Sequence, residues 1–206
     1  MEFSAWEPHY REILDYFGFD RAGDEEAARL LSSLLECDSL ISLASLTDGN
    51  PVTVCGNAPC LKDELDQISG IVFAADAAAE VLDSHGIFPD AIFTDLDGAT
   101  DRFVELNKEG TIVVIHAHGD NMPLLRHWVP RFRSRVIGTT QSAPLPHVYN
   151  FGGFTDGDRA VFAADELGAS QISLIGFDLD DKDVDPMKRG KLLWARKLLA
   201  LIGHNV

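Results

Sequence analysis

The stretch "IVFAADAAAEVLDSHGIFPDAIFTDLDG", residues 71–98, decides the fold. It opens on the apolar run "IVFAA" (71–75) and ends on a second, "AIFT" (91–94), that runs into acidic residues. Each run is too short for a helix and reads as a buried strand, while residues 77–85 between them read as a helix. Strand, helix and strand at this spacing predict a parallel βαβ unit.

The same alternation extends in both directions. Further strands are expected at "VTVC" (52–55), "TIVVI" (111–115), "SRVIG" (134–138) and "ISLIG" (172–176). Helices are expected near 61–67, 100–108, 121–132, 157–167 and 188–202. Right-handed crossovers then give an α/β fold, a doubly wound and mainly parallel sheet with helices on both faces. Residues 1–48 are expected to form a short helical N-terminal segment without a convincing strand, and the turn cluster "TDGNP" (47–51) is the expected boundary of an α/β domain over 49–206. Within the segment, "DEEAARLLSSLLE" predicts an amphipathic helix capped by Asp24, with Leu30, Leu31, Leu34 and Leu35 on one face.

The charge narrows the choice of partners. The 206 residues carry 17 Lys and Arg against 33 Asp and Glu, a formal net charge of −16. Nucleic acid and anionic membranes are repelled by such a surface. The longest apolar runs fall far short of a membrane span, and the acidic start lacks the basic end of a signal peptide, so a cytoplasmic location is expected. Cys37, Cys55 and Cys60 form neither a paired framework nor a zinc motif. Apolar faces on the N-terminal segment could serve a homo-oligomer interface.

In an open parallel sheet, ligands bind beyond the carboxyl ends of the strands. Those ends carry Gly56-Asn57-Ala58-Pro59, then Asp76, then Asp95 with Asp97, then His116 with His118 and Asp120, then Thr139-Thr140-Gln141, and last Asp178. Four of the six bear aspartate, and carboxylates brought together repel unless a cation sits among them. Oxygen ligands select magnesium, calcium or manganese over zinc. Carboxylate-held Mg2+ facing a glycine turn suggests a nucleoside triphosphate site.

Each motif admits other readings. "TDLDG" is no EF-hand, since the twelfth position from Asp95 is Leu106. It could open a haloacid-dehalogenase-type phosphatase with an aspartyl nucleophile, or be a plain Asp-Gly turn, but two magnesium ligands is the leading reading. "CGNAPC" (55–60) is either a phosphate-receiving turn or an ordinary strand-to-helix turn with Pro59 near the first helical position. In "NFGGFTDGDRA" (150–160), Gly152 and Gly153 permit unusual backbone angles, Thr155 or Asp156 can cap a helix, and Arg159 could grip phosphate or pair with a surface aspartate. "HAHGDN" (116–121) suggests zinc taken alone, yet no third ligand supports it. Lys188, Arg189 and Lys191 open the last helix, where an external anion is plausible, whereas "DLDDKDVD" (178–185) reads as a solvated acidic loop.

In order, "PDAIFTDLDG", "HAHGDN", "GTTQ", "YNFGGFTDGDRA" and "GFDL" resemble the archaeal 6-hydroxymethyl-7,8-dihydropterin pyrophosphokinases from about residue 50 onward. The thiamine pyrophosphokinase catalytic domain is more distantly similar. The resemblance implies Mg-dependent transfer of pyrophosphate from ATP to the hydroxymethyl pterin, with AMP released. It implies Asp95, Asp97 and Asp120 as metal-linked carboxylates, with Asp76 a weaker fourth. His118 is kept as a proton acceptor, against the alternative that both histidines orient Asp120, and Arg159 as a phosphate partner. Nucleotide contacts are expected at Gly56, Asn57, Ala58, Pro59, Asp76, Thr139, Thr140, Gln141, Gly153, Thr155 and Asp156. Cys60 stands where the family generally has serine, and Ala77 where the thiamine enzymes have glycine. A dehalogenase-like phosphatase and a non-catalytic nucleotide sensor are the alternatives.

Overall fold

The computed structural model describes residues 1–133 and 135–204. Ser134, on which the expected strand "SRVIG" opens, lies outside the described residues, as do the last two residues of the chain.

Seven parallel strands make the sheet: β1 (Pro51–Cys55), β2 (Ile71–Ala75), β3 (Ala91–Thr94), β4 (Ile112–Ala117), β5 (Val136–Thr140), β6 (Val148–Tyr149) and β7 (Gln171–Ile175). Their spatial order is β6-β5-β4-β3-β2-β1-β7. The chain therefore steps from β1 to β6 in one direction, then returns across the sheet to place β7 on the far side of β1. That reversal between β1 and β7 is the switch point at which open α/β sheets bind ligands. The two-residue edge strand β6 was not expected, being too short to show a period.

Eight α-helices accompany the sheet among the described residues: α1 (Phe3–Phe17), α2 (Arg21–Leu34), α3 (Leu40–Thr47), α4 (Ala78–Ser84), α5 (Asp101–Glu109), α6 (Met122–Trp128), α7 (Asp156–Glu166) and α8 (Pro186–Leu201). The helix expected near 61–67 is instead two tight 3-10 turns, Pro59–Asp63 and Leu65–Gln67.

All six residues of β4 are buried, because helices cover both faces of the sheet. Val113, Ile115 and Ala117 join a core with Leu31 of α2, Leu82 of α4, Phe103 of α5 and Leu125 of α6. Ile112 and Val114, one residue out of step, join a second core with Trp6 and Ile13 of α1, Leu43 of α3, Val161 of α7 and Leu198 of α8. Two-residue periodicity thus divides one apolar run between two cores.

The N-terminal helices take opposite sides, α1 against the second core and α2 against the first. Their connection crosses the sheet at the carboxyl ends of the strands. Asp20, not Asp24, caps α2, its carboxylate accepting from Ala22 and Gly23 amides at 3.1 and 3.2 Å. Asp24 is buried in the first turn, where its carboxylate accepts from the Tyr10 hydroxyl at 2.8 Å and the Gly119 amide at 2.9 Å. The expected cap lies four residues late because Asp24 is held by tertiary partners that local sequence does not reveal.

At the switch point the ends of β1 and β7 touch through glycine. A Cβ on Gly56 would lie 2.5 Å from the Gly176 carbonyl, and one on Gly176, whose φ is +69°, would lie 2.5 Å from the Gly56 carbonyl. Gly86 has a similar φ of +76° but open space around it. Gly86→Ala should therefore show only the backbone penalty of about 1 kcal/mol, whereas Gly176→Ala should lower stability by about 3 kcal/mol or more. Denaturant unfolding of the two variants checks this, and equal losses would contradict it.

Candidate active site

A cleft of about 760 Å³ opens at the carboxyl ends of the strands, beside the switch point. Its central feature is a group of three carboxylates, from Asp76, Asp95 and Asp156, with oxygens within 4.8 Å of one another.

Each carboxylate is placed by its own local device. Asp76 follows β2 at a φ of +46°, with its amide donating to the Phe93 carbonyl at 2.8 Å. Its carboxylate accepts from the Thr94 hydroxyl at 2.6 Å, and that hydroxyl accepts from the Leu96 amide at 2.8 Å. A Cβ on Gly98 would sit 2.1 Å from Asp76 Oδ2, so only glycine leaves room for this carboxylate. Leu96 is buried and anchors the loop after β3, with Asp95 and Asp97 on either side lining the cleft. Asp156 comes from the first turn of α7, whose start is fixed by a reciprocal cap between Thr155 and the buried Asp158.

"HAHGDN" divides its work among four residues. His116 lies in β4, buried, with Nδ1 3.2 Å from the Thr139 hydroxyl. His118 Nδ1 accepts from the Asp120 amide at 3.4 Å, so its proton is on Nε2, which faces Asp95 Oδ2 at 3.5 Å. Asn121 donates to the Asp95 and His116 carbonyls, both at 2.7 Å, and accepts from the His118 amide at 3.1 Å. It ties the end of β3 to the end of β4. Asp120 is exposed on the cleft wall and stands outside the group of three. The 3-10 turn Gly119–Asn121 buries Asn121 and leaves Asp120 to solvent.

Of the residues expected as metal-linked, Asp95 and the weaker fourth, Asp76, belong to the close group, while Asp97 and Asp120 line the cleft. Gly56, Asn57, Ala58, Pro59, Asp76, Gln141, Thr155 and Asp156 also line it. Thr139, Thr140 and Gly153 do not line the cleft. β5 runs two residues further than expected, and there Thr139 donates to the Ile115 carbonyl at 3.1 Å while Thr140 bonds to Ser142. Gly153 lets Arg159 pack closely, since a Cβ there would lie 2.5 Å from Arg159 Cα. Nor is Arg159 an open fork for phosphate, because it is buried and its two terminal nitrogens donate to the Gly153 and Phe154 carbonyls at 3.4 and 2.9 Å. The glycine turn after β1 is likewise engaged, with Gly56 and Ala58 amides donating to the Ile175 and Gly176 carbonyls.

Sequence reading missed Asn121, Asp24 and the α1–α2 turn. The first two act through tertiary hydrogen bonds, and their only local signal is a polar residue inside or beside an apolar stretch.

The electrostatics follow from the crowding. Burial, opposed by the Thr94 hydrogen bond and aided by Asp97 and Asp95, pushes Asp76 up to about 6. Burial and then Asp95 hold Asp156 well above the usual carboxylate range, against the pull of Arg159. Asp97 is raised by burial and by Asp95, whereas Asp95 is held low despite burial by His118 and by the Asp97 amide. Burial, then Arg159, pushes His116 well down, so it is neutral. An all-oxygen donor set, with Asp95 held ionised beside the raised Asp76 and Asp156, fits a hard divalent cation, and these three are the residues that would hold it.

Fold and site together define an α/β enzyme with a carboxylate-centred cleft at the strand ends. The family described as 6-hydroxymethylpterin diphosphokinase MptE-like matches residues 26–184. Proteins named 6-hydroxymethyl-7,8-dihydropterin pyrophosphokinase are 40% identical in Methanothermobacter thermautotrophicus, over 100% of this chain and 97% of that one, and 40% identical in Pyrococcus furiosus, over 100% and 96%. A protein of that name from Methanocaldococcus jannaschii is 35% identical over 86% of this chain and 80% of its own. Among solved structures, the MAf glycosyltransferase from Magnetospirillum magneticum overlays on 78% of this chain and 29% of its own at a TM-score of 0.45 and 18% identity, too remote to bear on function. The chain belongs to the MptE-like 6-hydroxymethylpterin diphosphokinase family.

Asp76 is ionised in the unfolded chain above its ordinary value near 3.8 but prefers the proton when folded. Its contribution to stability is therefore full at low pH and is lost as pH rises through about 6. Asp76→Asn should raise the melting temperature of the metal-free protein by about 5 °C at about pH 7.5, a gain that shrinks as pH falls. Added Mg2+ should raise the wild-type melting temperature and do less for the variant. A variant no more stable than wild type at neutral pH would contradict the crowding.

Proposed function

We propose that this protein transfers the terminal diphosphoryl unit of ATP to the hydroxymethyl group of 6-hydroxymethyl-7,8-dihydropterin, forming the pterin diphosphate and AMP with Mg2+ as cofactor. The observation that carries the reading is the close group of Asp76, Asp95 and Asp156 at the switch point, in a member of this family. The cleft is of a size that takes small-molecule substrates. Chemically, the alcohol oxygen bonds to the β-phosphorus of ATP while the bridge between the α- and β-phosphates breaks, with the electron pair leaving on AMP.

Mg2+, when bound, supplies charge neutralisation for the phosphate oxygens. The protein's own part is positioning, which suits a reaction that depends on alignment and charge more than on a strong base. In this proposal His118, its Nε2 proton facing Asp95, acts as a positioning residue, and the alcohol proton passes to solvent. Asn121 holds the Asp95 and His116 backbones in register. Lys188 and Lys191 of α8, the helix whose Gly190 packs against Tyr16 and Phe17 of α1, bring positive charge to the cleft wall, and Lys191 already acts on Asp97. Phosphates are expected between this wall and the carboxylates.

The dehalogenase-type reading is not favoured. The carboxylate of Asp95 already faces His118 and accepts from the Asp97 amide at 3.1 Å, and it follows the third strand rather than the first. No helix among the described residues is long and apolar enough to cross a membrane.

Incubation with ATP, Mg2+ and the hydroxymethyl dihydropterin should give AMP and pterin diphosphate one for one, whereas ADP as nucleotide product would overturn the proposal. Asp95→Asn should lower kcat by about a hundredfold or more without unfolding the protein.

A further inference from the structure

Three side chains on the cleft wall are more than nine-tenths buried yet leave one buried atom without a hydrogen-bond partner among the described residues: His116 Nε2, Gln141 Oε1 and Arg159 Nε. Buried polar atoms are ordinarily partnered, so three orphans on one wall mark a place where a ligand supplies the partners. They come from the ends of β4 and β5 and from the first turns of α7. The α1–α2 turn, with Phe19 and Asp24, lines the same cleft.

The role of each orphan follows from its neighbours. The Thr139 hydroxyl donates to the Ile115 carbonyl, so towards His116 it can only accept. His116 Nδ1 must then carry the proton, and Nε2 is a bare acceptor. The Gln141 backbone is fixed, since its carbonyl accepts from the Trp6 indole and from Asn150, both at 2.9 Å, while its side-chain oxygen is left open. With both terminal nitrogens of Arg159 donating to carbonyls, its Nε–H is the remaining donor. The partnerless buried atoms of the wall thus offer two acceptors and one donor, with the Gln141 side-chain amide nitrogen a further donor beside them.

Phosphate oxygens only accept, so His116 Nε2 and Gln141 Oε1 disfavour them. Adenine presents one amino donor beside ring-nitrogen acceptors and falls one donor short. A 2-amino-4-oxo pteridine presents its 2-amino group and N3–H as donors and O4 as an acceptor, which complements the wall. We propose that this lobe is the pteridine subsite, with Gln141, His116 and Arg159 reading the 2-amino-4-oxo edge. The inference rests on the diphosphokinase reading and adds the substrate's orientation: ring towards the N-terminal helices, hydroxymethyl arm towards Asp95. It also gives the N-terminal segment a role, because Trp6 of α1 holds the backbone of Gln141.

Fluorescence titration of the full chain with 6-hydroxymethylpterin tests the subsite without turnover, and ATP binding is measured separately in Mg2+. Gln141→Leu should weaken pterin binding about tenfold or more, the loss expected for a buried hydrogen bond, and leave ATP affinity within about twofold. Gln141→Glu, which keeps an acceptor, should retain most of the pterin affinity. Wild-type protein should also bind the 2,4-dioxo analogue 6-hydroxymethyllumazine, which lacks the 2-amino donor, several-fold more weakly; this comparison needs no variant to fold. Loss of ATP binding instead, unchanged pterin binding in Gln141→Leu, or equal binding of pterin and lumazine would each overturn the subsite. If the wild type forms AMP and pterin diphosphate but shows one of those outcomes, the subsite falls and the function stands. If it binds no pterin at all, both fall.

Discussion

Mutual repulsion among Asp76, Asp95 and Asp156 is the constraint on which the rest of the site depends. Three carboxylates with oxygens inside 4.8 Å do not gather on their own. The surrounding fold holds them there: a left-handed backbone at Asp76, a bare Cα at Gly98, and an anchoring leucine between Asp95 and Asp97. Burial first, and then the neighbouring carboxylates, raise the pKa values of Asp76, Asp97 and Asp156. Stability is given up where a bound cation would restore it, a common trade at functional sites.

The topology makes the gathering possible. Because β7 returns to the far side of β1, the ends of β1 and β7 meet beside the cleft, and the helix N-terminus carrying Asp156 arrives over β1, β2 and β3. The N-terminal helices close the other side. Asp24, bonded to Tyr10 and Gly119, and Trp6, bonded to the Gln141 carbonyl, join that segment to the ends of β4 and β5. Cleft and fold therefore share the same hydrogen bonds.

Much of this was legible in the sequence because apolar runs and acidic strand ends are local signals. "IVFAADAAAE" gives strand, turn aspartate and helix in ten residues, and the convergence of Asp76, Asp95 and Asp97 follows from parallel strands alone. What could not be read depends on three-dimensional partners. Asp24 resembles an N-cap until Gly119 and Tyr10 are seen around it. In "HAHGDN" the aspartate looks like the ligand and the asparagine like filler, whereas the asparagine is the clamp and the aspartate lies at the rim. Asp156 was expected as a nucleotide contact, and only the position of α7 brings it to Asp76 and Asp95. Thr139 and Thr140 were expected beyond the end of a strand that in fact includes them.

We propose that a divalent cation is held by Asp76, Asp95 and Asp156 rather than by Asp95, Asp97 and Asp120. Titration of Mn2+ into metal-free protein, followed by the paramagnetic resonance of the free ion, tests it most directly in Asp156→Asn and Asp120→Asn. The expected result is that Asp156→Asn loses Mn2+ binding at least about tenfold, while Asp120→Asn stays within about twofold of wild type. Loss in Asp120→Asn with binding preserved in Asp156→Asn would contradict it.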